Sequence, residues 1–361
     1  MLKILHVGEY MQGGVATYVN TLLKDSPNGI EHYLVLAYER SEKKWDLSSE
    51  RIFFYPYERK LTNLWSAIRF IRKTVIKVNP DILYVHSTWA GLFVRLPFLF
   101  VKRNVKIIYN AHGWAFLRDT TRLHKQIYAI IERIFLSVTD CVINVSDYEQ
   151  QAALKYGFEK RKMVRIYSGV DDIWKKSTFT YKMESDRVNL LFVGRFDQPK
   201  GLDWLLEVLA DSRLSSIHLY VIGAPVVDAE MALYQNTERI TYLGWISHAD
   251  LHPYYSACDA VIMPSRWEAF GLTAVEAMCH SKPVLASDRG ALPELVRSGI
   301  NGWVFPLDKE ELVRLLLSLD KDSLAEWGNT ARSIYEAEFS GKVMRSNLNK
   351  LYECVASGHE N

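Results

Sequence analysis

The amino-acid sequence predicts an α/β protein made of two Rossmann-like domains with parallel sheets. Its 361 residues correspond to about two domains of ordinary size. Residues 2–7 have the pattern of a strand, followed by a glycine-containing loop and a helix at 15–23, and residues 189–193 begin a second run of the same order. Residues 260–263 and 284–286 are apolar runs with a helical pattern between them, which predicts a β-α-β unit.

Apolar runs in the first half predict six further strands, and helical periodicity predicts two further helices. The strands fall at residues 33–37, 52–55, 82–85, 105–110, 141–145 and 164–167, and the helices at 64–78 and 123–137. In the first of these helices Ile68 and Ile71 share an apolar face, with Arg69 and Arg72 opposite. This pattern predicts either one buried and one solvated face or a surface close to anionic lipid.

The second half continues the alternation of strands and helices. Strands are predicted at residues 217–222, 240–243 and 302–305, a helix at 247–256, and two or three helices between 309 and 356. The segment 174–187 is polar, carries both charge signs and lacks periodicity, which predicts a linker. The predicted division is an N-terminal domain at 1–173, a linker at 174–187, a C-terminal domain at 188–340 and a final helix at 341–361.

Composition excludes several classes of protein. A hydrophobic fraction of 48% and a charged fraction of 24% are typical of globular chains and not of disordered ones. We expect no signal peptide, because no basic leader precedes the first strand. The most apolar window, residues 92–101, contains Arg95 and Pro97 and is too short to span a bilayer. The four cysteines are scattered without a CxxC pair, which predicts free thiols in a reducing cytoplasm.

The net charge of +2 conceals an asymmetry between the two halves. Residues 1–180 hold 27 Lys and Arg against 17 Asp and Glu, a net charge of +10, and the remainder has −8. We therefore expect the first half to meet an anionic surface or substrate.

The loop at 264–271 is the strongest candidate for a site. It follows a predicted strand at the carboxyl end, where ligands gather in open parallel sheets, and it contains Glu268. Phe270 and Gly271 open a helix whose first amides and dipole favour an anion such as phosphate. Glu276 lies in that helix and, as a carboxylate, suits hydroxyl groups instead.

Two glutamates with seven residues between them, after Pro-Ser and before a Pro-Val strand, resemble the family 4 glycosyltransferases of the GT-B fold. This resemblance implies that the two Rossmann-like domains face a central cleft and that the last helix packs back on the first domain. It also implies that Glu268 faces the transferred sugar and Glu276 the ribose of a nucleotide sugar. The amides of Phe270, Gly271 and Leu272 would meet the diphosphate.

The resemblance extends to other loops at strand ends. Arg195 and Lys200, after Gly194, would bind the diphosphate, and His112 would contact the donor sugar. The same resemblance places three sets of glycines at the donor: Gly13 and Gly14 near its phosphates, Gly290 against them, and Gly244 beside the base.

Arg118 and Arg122 follow the His112 loop and precede a predicted helix. They are either contacts to an acceptor phosphate or solvated arginines at a helix start.

Three features receive ordinary interpretations. His248 and His252 are four residues apart, but no third ligand is near in sequence and Pro253 interrupts the helix, so we predict capping and surface roles and no metal. Asp320-Lys321-Asp322 imitates a metal-binding DxD motif, yet it lies between terminal helices and predicts a solvated turn. Ser281 stands where the family usually has glycine, which predicts an altered helix end.

The resemblance implies a retaining hexosyltransferase that uses a UDP- or GDP-linked sugar, without a cofactor or a metal. The acceptor would be a hydroxyl of a sugar or of a polyprenyl-diphosphate-linked glycan in bacterial surface polysaccharide synthesis, such as O-antigen, capsule or exopolysaccharide. We expect a cytoplasmic enzyme, peripheral on the inner face of the membrane, with no nucleic-acid partner. Two alternatives stay open: another GT-B activity, such as a sugar-nucleotide epimerase or phosphorylase, and a non-catalytic nucleotide-sugar-binding module.

Overall fold

A computed structural model describes residues 1–27, 29–172, 179–225 and 234–358. The chain forms two compact units. The first consists of Met1–Gly169 together with the chain from Gly341 onwards, and the second consists of Val170–Ser340. The predicted linker at 174–187 lies partly outside the described residues.

The first unit has a seven-stranded parallel sheet in the order β3-β2-β1-β4-β5-β6-β7. Its strands are β1 Leu2–Gly8, β2 Ile30–Ala37, β3 Ile52–Tyr55, β4 Ile82–His86, β5 Lys106–Asn110, β6 Cys141–Asn144 and β7 Met163–Arg165. Its helices are α1 Gly14–Leu23, α2 Leu64–Val78, α3 Thr88–Phe98, α4 Arg122–Leu136, α5 Asp147–Lys155 and, in chain order, the last one, α12 Gly341–Ser357.

Helices cover both faces of this sheet, so its central strands are apolar on both sides. Residues of α2, α3, α4 and α5 pack on one face around Leu5, Val85 and Ile107. Residues of α1 and α12 pack on the other face around Ile4 and Tyr84.

The second unit has a six-stranded parallel sheet in the order β10-β9-β8-β11-β12-β13. Its strands are β8 Val188–Val193, β9 Ile217–Ile222, β10 Ile240–Gly244, β11 Ala260–Met263, β12 Val284–Ser287 and β13 Gly302–Phe305. Its helices are α6 Leu202–Leu209, α7 His252–Ala257, α8 Leu272–Cys279, α9 Leu292–Leu295, α10 Lys309–Leu317 and α11 Lys321–Ile334.

The predicted strands and the β-α-β unit around α8 are confirmed, but one predicted helix is wrong and one helix was missed. The helix predicted at 247–256 is instead a 3₁₀ turn at His248–Asp250 followed by the short helix α7, which begins at His252. Pro253 lies in the first turn of α7, where proline is tolerated because the amide there would have no helical partner. The Ser247 hydroxyl bonds to the Asp250 carboxylate at 2.5 Å and caps no backbone amide. Helix α3 was missed, because its sequence is apolar nearly all round and carries Pro97.

The structure also shows what the DxD-like sequence and Ser281 do at helix ends. The first begins a helix and is not only a turn, and the second keeps the helix ending that glycine usually gives. Asp320 of the DxD-like sequence caps α11, since its side chain accepts from the Ser323 amide at 2.8 Å. Ser281 follows α8 with a left-handed φ of 57°. The Ser281 amide donates to Met278 and the Lys282 amide to Ala277, the two bonds of a Schellman ending in which glycine is the usual residue.

No helix in the described part of the chain is long and apolar enough to cross a membrane.

Candidate functional site

Strand order in the second unit defines the place where ligands commonly bind in sheets of this kind. From β8 the chain moves outward to β9 and β10, and it then returns to the other side of β8 with β11 and continues to β12. The border between β8 and β11 is therefore the topological switch point, where loops leave the carboxyl ends in opposite directions and open a crevice. The predicted residues Lys200 and Glu268 follow these two strands.

The loop after β8 carries two cationic side chains, Arg195 and Lys200. Asp197 accepts from the Lys200 amide through Oδ1 at 3.3 Å, and its Oδ2 pairs with Arg195 at 2.8 Å. The Arg195 side chain is 57% exposed. The Gly194 amide donates to the carbonyl of Ile222 at 3.0 Å, which ties the start of this loop to the end of β9. Arg195 can therefore reach a ligand while Asp197 limits its positions.

The loop after β11 brings Glu268 to Lys200. Lys200 Nζ lies 2.5 Å from Oε1 of Glu268, and the Ser265 hydroxyl donates to the same oxygen at 3.2 Å. Ser265 is buried, and its carbonyl accepts from the Ser287 hydroxyl at 2.5 Å. The sequence predicted Lys200 and Glu268 separately, but it did not predict their ion pair or the part that Ser265 plays.

Gly290 lies against the backbone of Glu268. A Cβ atom on Gly290 would lie 2.1 Å from the Glu268 carbonyl oxygen, and φ of Gly290 is 61°. The next amide, of Ala291, donates to that carbonyl at 3.1 Å. The structure therefore gives Gly290 a packing reason that the sequence could not show: it allows the loop after β12 to fix the position of Glu268.

Helix α8 starts directly beside this pair. Gly271 is its N-cap residue with φ 109°, and Leu272 is its first helical residue. The first amides of an α-helix lack intrahelical acceptors, and the helix dipole places partial positive charge at this end. Phe270 is buried, so the part that this segment can offer an anion is its backbone.

Glu276, one turn further along α8, is buried and is held by two side chains. The Tyr255 hydroxyl donates to Oε2 at 2.8 Å, and His248 Nε2 lies 2.9 Å from Oε1. Burial, and next the Glu276 charge, raise the pKa of Tyr255 well above its usual range, so Tyr255 remains a hydrogen-bond donor. The sequence analysis missed both partners: His248 was assigned a capping or surface role, and Tyr255 carried no signal. Gly244 ends β10 with φ 71°.

The first unit has its own switch point, between β1 and β4. Glu9, just after β1, is buried and pairs with Arg40 at 3.0 Å and with Arg59 at 2.9 Å. No local motif could have found this cluster, because its members are far apart in sequence.

Gly13, with φ 56°, precedes α1, which begins at Gly14 and not at the predicted residue 15.

His112 follows β5 with a left-handed φ of 49°. Its amide donates to Asn110 Oδ1, and its Nε2 lies 2.9 Å from Nδ1 of His86. Burial lowers the pKa of His112 to about 3, so the ring is neutral at physiological pH. Arg118 and Arg122 are exposed.

Comparison with known proteins identifies the family. The Glycosyltransferase Family 4 model matches residues 12–173, and the model of Glycosyl transferases group 1 matches residues 187–322. An uncharacterised 41.2 kDa protein of the cps region of Klebsiella pneumoniae is 31% identical over 97% of this chain and 98% of its own length. The chain belongs to glycosyltransferase family 4.

Further relatives of this family 4 glycosyltransferase agree with that assignment. The O-antigen biosynthesis glycosyltransferase WbnH of Escherichia coli is 26% identical over 96% of both chains. Sucrose-phosphate synthase from Thermosynechococcus elongatus matches with a TM-score of 0.82 at 20% identity, over 99% of this chain and all of that one. Anabaena HepE, solved with UDP and glucose, matches with a TM-score of 0.80 at 18% identity, over 98% and 100%. The predicted GT-B fold is confirmed.

The structure thus brings together the predicted residues Lys200, Glu268 and Gly290 of this glycosyltransferase beside the loop that leads into α8. Glu276 lies one turn into that helix with its own partners, Tyr255 and His248. Within the described ranges no group of three or more His, Cys, Asp or Glu residues could hold a metal ion.

Proposed function

We propose that this glycosyltransferase moves a hexosyl group from a nucleoside-diphosphate sugar to a hydroxyl of a sugar or lipid-linked glycan, with retention of configuration. The observation that carries the proposal is the Lys200–Glu268 pair at the β8–β11 switch point, next to the first turn of α8. HepE, a structural neighbour, was solved with UDP and glucose. WbnH, a relative over nearly the whole chain, is an O-antigen enzyme.

In the proposed reaction the bond between the anomeric carbon and the diphosphate oxygen breaks, and a bond from that carbon to the acceptor oxygen forms. The acceptor proton passes to the leaving phosphate. We assign Arg195, Lys200 and the amides of residues 270–272 to the charge that develops on the diphosphate, with no metal ion required. Preorganised positive groups at the developing charge are usually the largest catalytic contribution.

Glu268 and Glu276 are proposed to bind hydroxyl groups of different parts of the donor. Lys200 and Ser265 both contact Oε1 of Glu268, and we assign its Oε2 to a hydroxyl of the transferred sugar. Glu276 uses one lone pair on each oxygen for Tyr255 and His248. A carboxylate offers about four acceptor positions, so Glu276 keeps capacity for the ribose hydroxyls.

The test combines donor screening with a matched pair of variants. UDP- and GDP-linked sugars are screened by thermal shift, and the best binder is then used in a product assay with and without a metal chelator. Lys200→Met should lower kcat at least a hundredfold, because it removes the positive charge that would stabilise the leaving diphosphate. Lys309→Met is the control, since Lys309 also pairs with a glutamate of the second unit, Glu207, at 2.6 Å, but far along the chain from the site.

Three results would contradict the proposal. Equal activity of the two lysine variants would remove Lys200 from the reaction. Loss of activity in the chelator would contradict the metal-free assignment. Conversion of the sugar nucleotide without any acceptor would favour an epimerase or a phosphorylase.

We further propose that the first unit docks on an anionic bilayer at the cytoplasmic face, where a polyprenyl-diphosphate-linked acceptor would be held. Helix α4 carries an exposed stripe of large apolar side chains. They are Leu123, Ile127, Ile130, Ile131 and Ile134, each between 41% and 65% exposed. The acidic residue of α4, Glu132, turns inward to a buried ion pair with Arg95 at 2.8 Å, so the outer face has no negative charge.

A groove between α2 and α3 is a second feature that favours membrane binding by this unit. It has a volume of about 590 Å³, and Trp65, Ile76 and Phe100 on its walls are 67%, 77% and 82% exposed. Arg69 and Arg72 also line it, and α2 contains no acidic residue. Helices α2, α3 and α4 share one layer on the sheet, and apolar side chains among basic ones are typical of surfaces that bind anionic lipid.

Vesicle sedimentation tests this surface. Binding of the wild-type protein should rise with the anionic lipid fraction and fall with salt. Ile130→Asp combined with Ile134→Asp should abolish binding, whereas Leu317→Asp, at a 47% exposed leucine of the second unit, should not. If the double variant instead turned a dimer into a monomer and bound vesicles normally, the stripe would be a protein interface.

A further inference from the structure

Four histidine rings form a continuous hydrogen-bonded chain through the first unit. Nδ1 of His32 lies 2.9 Å from Nε2 of His6, Nδ1 of His6 lies 3.0 Å from Nε2 of His86, and Nδ1 of His86 lies 2.9 Å from Nε2 of His112. The first three residues are on the adjacent strands β2, β1 and β4, and His112 follows β5. The sequence analysis considered only His112, because the pairing depends on strand order.

The surroundings keep all four rings neutral. Burial lowers the pKa of His32 to about 4 and of His112 to about 3, and it lowers the pKa of His6 and His86 well below their usual range. The charged group that acts on the chain is Arg51, near His32. The other ring neighbours are the tyrosines Tyr18, Tyr84 and Tyr352.

Neutral rings in such a chain cannot choose their tautomers independently. A neutral imidazole has one N–H and one lone pair, so His6 and His86 must each donate through one nitrogen and accept through the other. Only two arrangements keep all three bonds: every ring protonated at Nδ1, or every ring protonated at Nε2. The tautomer of His112 is therefore tied to that of His32, at the other end of the chain.

One of the two arrangements starts from a proton on Nδ1 of His32. Arg51 disfavours positive charge on this ring, so His32 keeps a single proton, and we assign it to Nδ1, the nitrogen that faces His6. With Nε2 unprotonated, His32 donates to His6, His6 to His86, and His86 to His112. The remaining nitrogen of His112, Nδ1, then carries an N–H.

We propose that His32, His6 and His86 are positioning residues that hold His112 as the Nδ1–H tautomer, so that a neutral His112 donates a hydrogen bond to an oxygen of the glycosyl donor. The second part rests on the proposed function and on the family resemblance, which implies that His112 contacts the donor sugar. A ring with Nδ1 unprotonated could only accept a hydrogen bond there and could not donate one to that oxygen.

Two substitutions of His32, at the far end of the histidine chain, test the proposed coupling. The two new side chains, Asn and Asp, have nearly the same shape and differ in what they can donate. His32→Asn retains an N–H near Nδ1 and should preserve the direction of every bond. His32→Asp offers only an acceptor, so a neutral His6 must donate through Nε2, which reverses the remaining bonds and leaves Nδ1 of His112 as an acceptor; the same nitrogen shifts show whether His6 is neutral. Ring nitrogen shifts in ¹⁵N-histidine-labelled protein report the tautomer, and His112→Gln assigns the signal.

We expect Nδ1–H at His112 in the wild type and in His32→Asn, and Nε2–H in His32→Asp. The kcat for transfer should fall at least tenfold in His32→Asp, with the donor KM within about threefold, and should stay within about threefold in His32→Asn. If His32→Asp does not fold, His6→Phe interrupts the chain, and both tautomers should then be populated at His112.

An unchanged His112 tautomer in the variant that folds would overturn the coupling. A reversed tautomer with unchanged kcat would overturn the donor role of His112. The nitrogen shifts need no sugar nucleotide, so a failure of the proposed function would leave the measurement of the coupling intact.

Discussion

Replacing Gly290 by alanine separates two costs that the structure assigns to this glycine. The first is backbone strain, because φ is 61° and a residue with a Cβ pays about 1 kcal/mol in that region. The second is a collision, because the new Cβ would lie 2.1 Å from the Glu268 carbonyl oxygen. Relief of such overpacking costs about 1–3 kcal/mol. We therefore expect a loss of about 2–4 kcal/mol in the free energy of unfolding.

Gly299→Ala is the matched control for this prediction. Gly299 also has a positive φ, of 75°, but its nearest neighbour to a new Cβ is a Trp303 atom at 4.0 Å. The Gly299→Ala variant should lose about 1 kcal/mol in the free energy of unfolding and retain transfer activity. Gly290→Ala should lose activity at least tenfold, because its relief displaces Glu268. Urea denaturation and a product assay measure both quantities, and equal results for the two variants would refute the role of Gly290 as a support for Glu268.

Three further predictions concern other parts of the chain. Glu276→Gln should raise the donor KM about 10- to 100-fold, because a charged acceptor is lost; an unchanged KM in steady-state kinetics would contradict the ribose assignment. Ser281→Gly should raise the free energy of unfolding by about 1 kcal/mol, since glycine has no Cβ penalty at φ 57°; a lower urea midpoint would contradict this. Acidification from pH 7 to pH 5 should lower the stability of the first unit by about 2 kcal/mol for each of His32 and His112.

The sign of that pH effect follows from proton uptake. The unfolded chain binds a proton on each ring below about pH 6.5, whereas folded His32 and His112 bind one only near pH 4 and pH 3. Stability is therefore full above about pH 6.5 and is lost as the pH falls towards the folded pKa values. Denaturation at pH 7 and pH 5 measures it, and His32→Phe should reduce the difference by about 2 kcal/mol. An unchanged difference in that variant would mean that His32 is not the titrating group.

Much of the fold could be predicted because its signals are local. The apolar runs at 189–193 and 260–263 and the glycines that follow them identify parallel strands and the loops at their ends. Position in such a loop, together with the family resemblance, selected Lys200, Glu268 and His112 as candidates. Helix α3 failed this approach, because a helix that is apolar nearly all round has no periodicity to detect.

The contacts that give these residues their chemistry could not be predicted. Glu268 meets Lys200 across 68 residues, and Glu276 meets His248 across 28. Each pair forms because strand order brings two loops together, and strand order is not encoded in the neighbourhood of either residue. The resemblance to a family supplied roles for single residues, but it supplied no partners.

The sequence by itself determined the fold class and the family and selected candidate residues at strand ends, because strand periodicity, motif spacing and loop composition are properties of short segments. Only the tertiary structure decided that Gly290 supports Glu268, that Ser265 and Lys200 share one of its oxygens, and that four histidines connect β2 to the loop after β5. These are distances between segments that are far apart in the chain, and they are fixed by the order in which parallel strands pack.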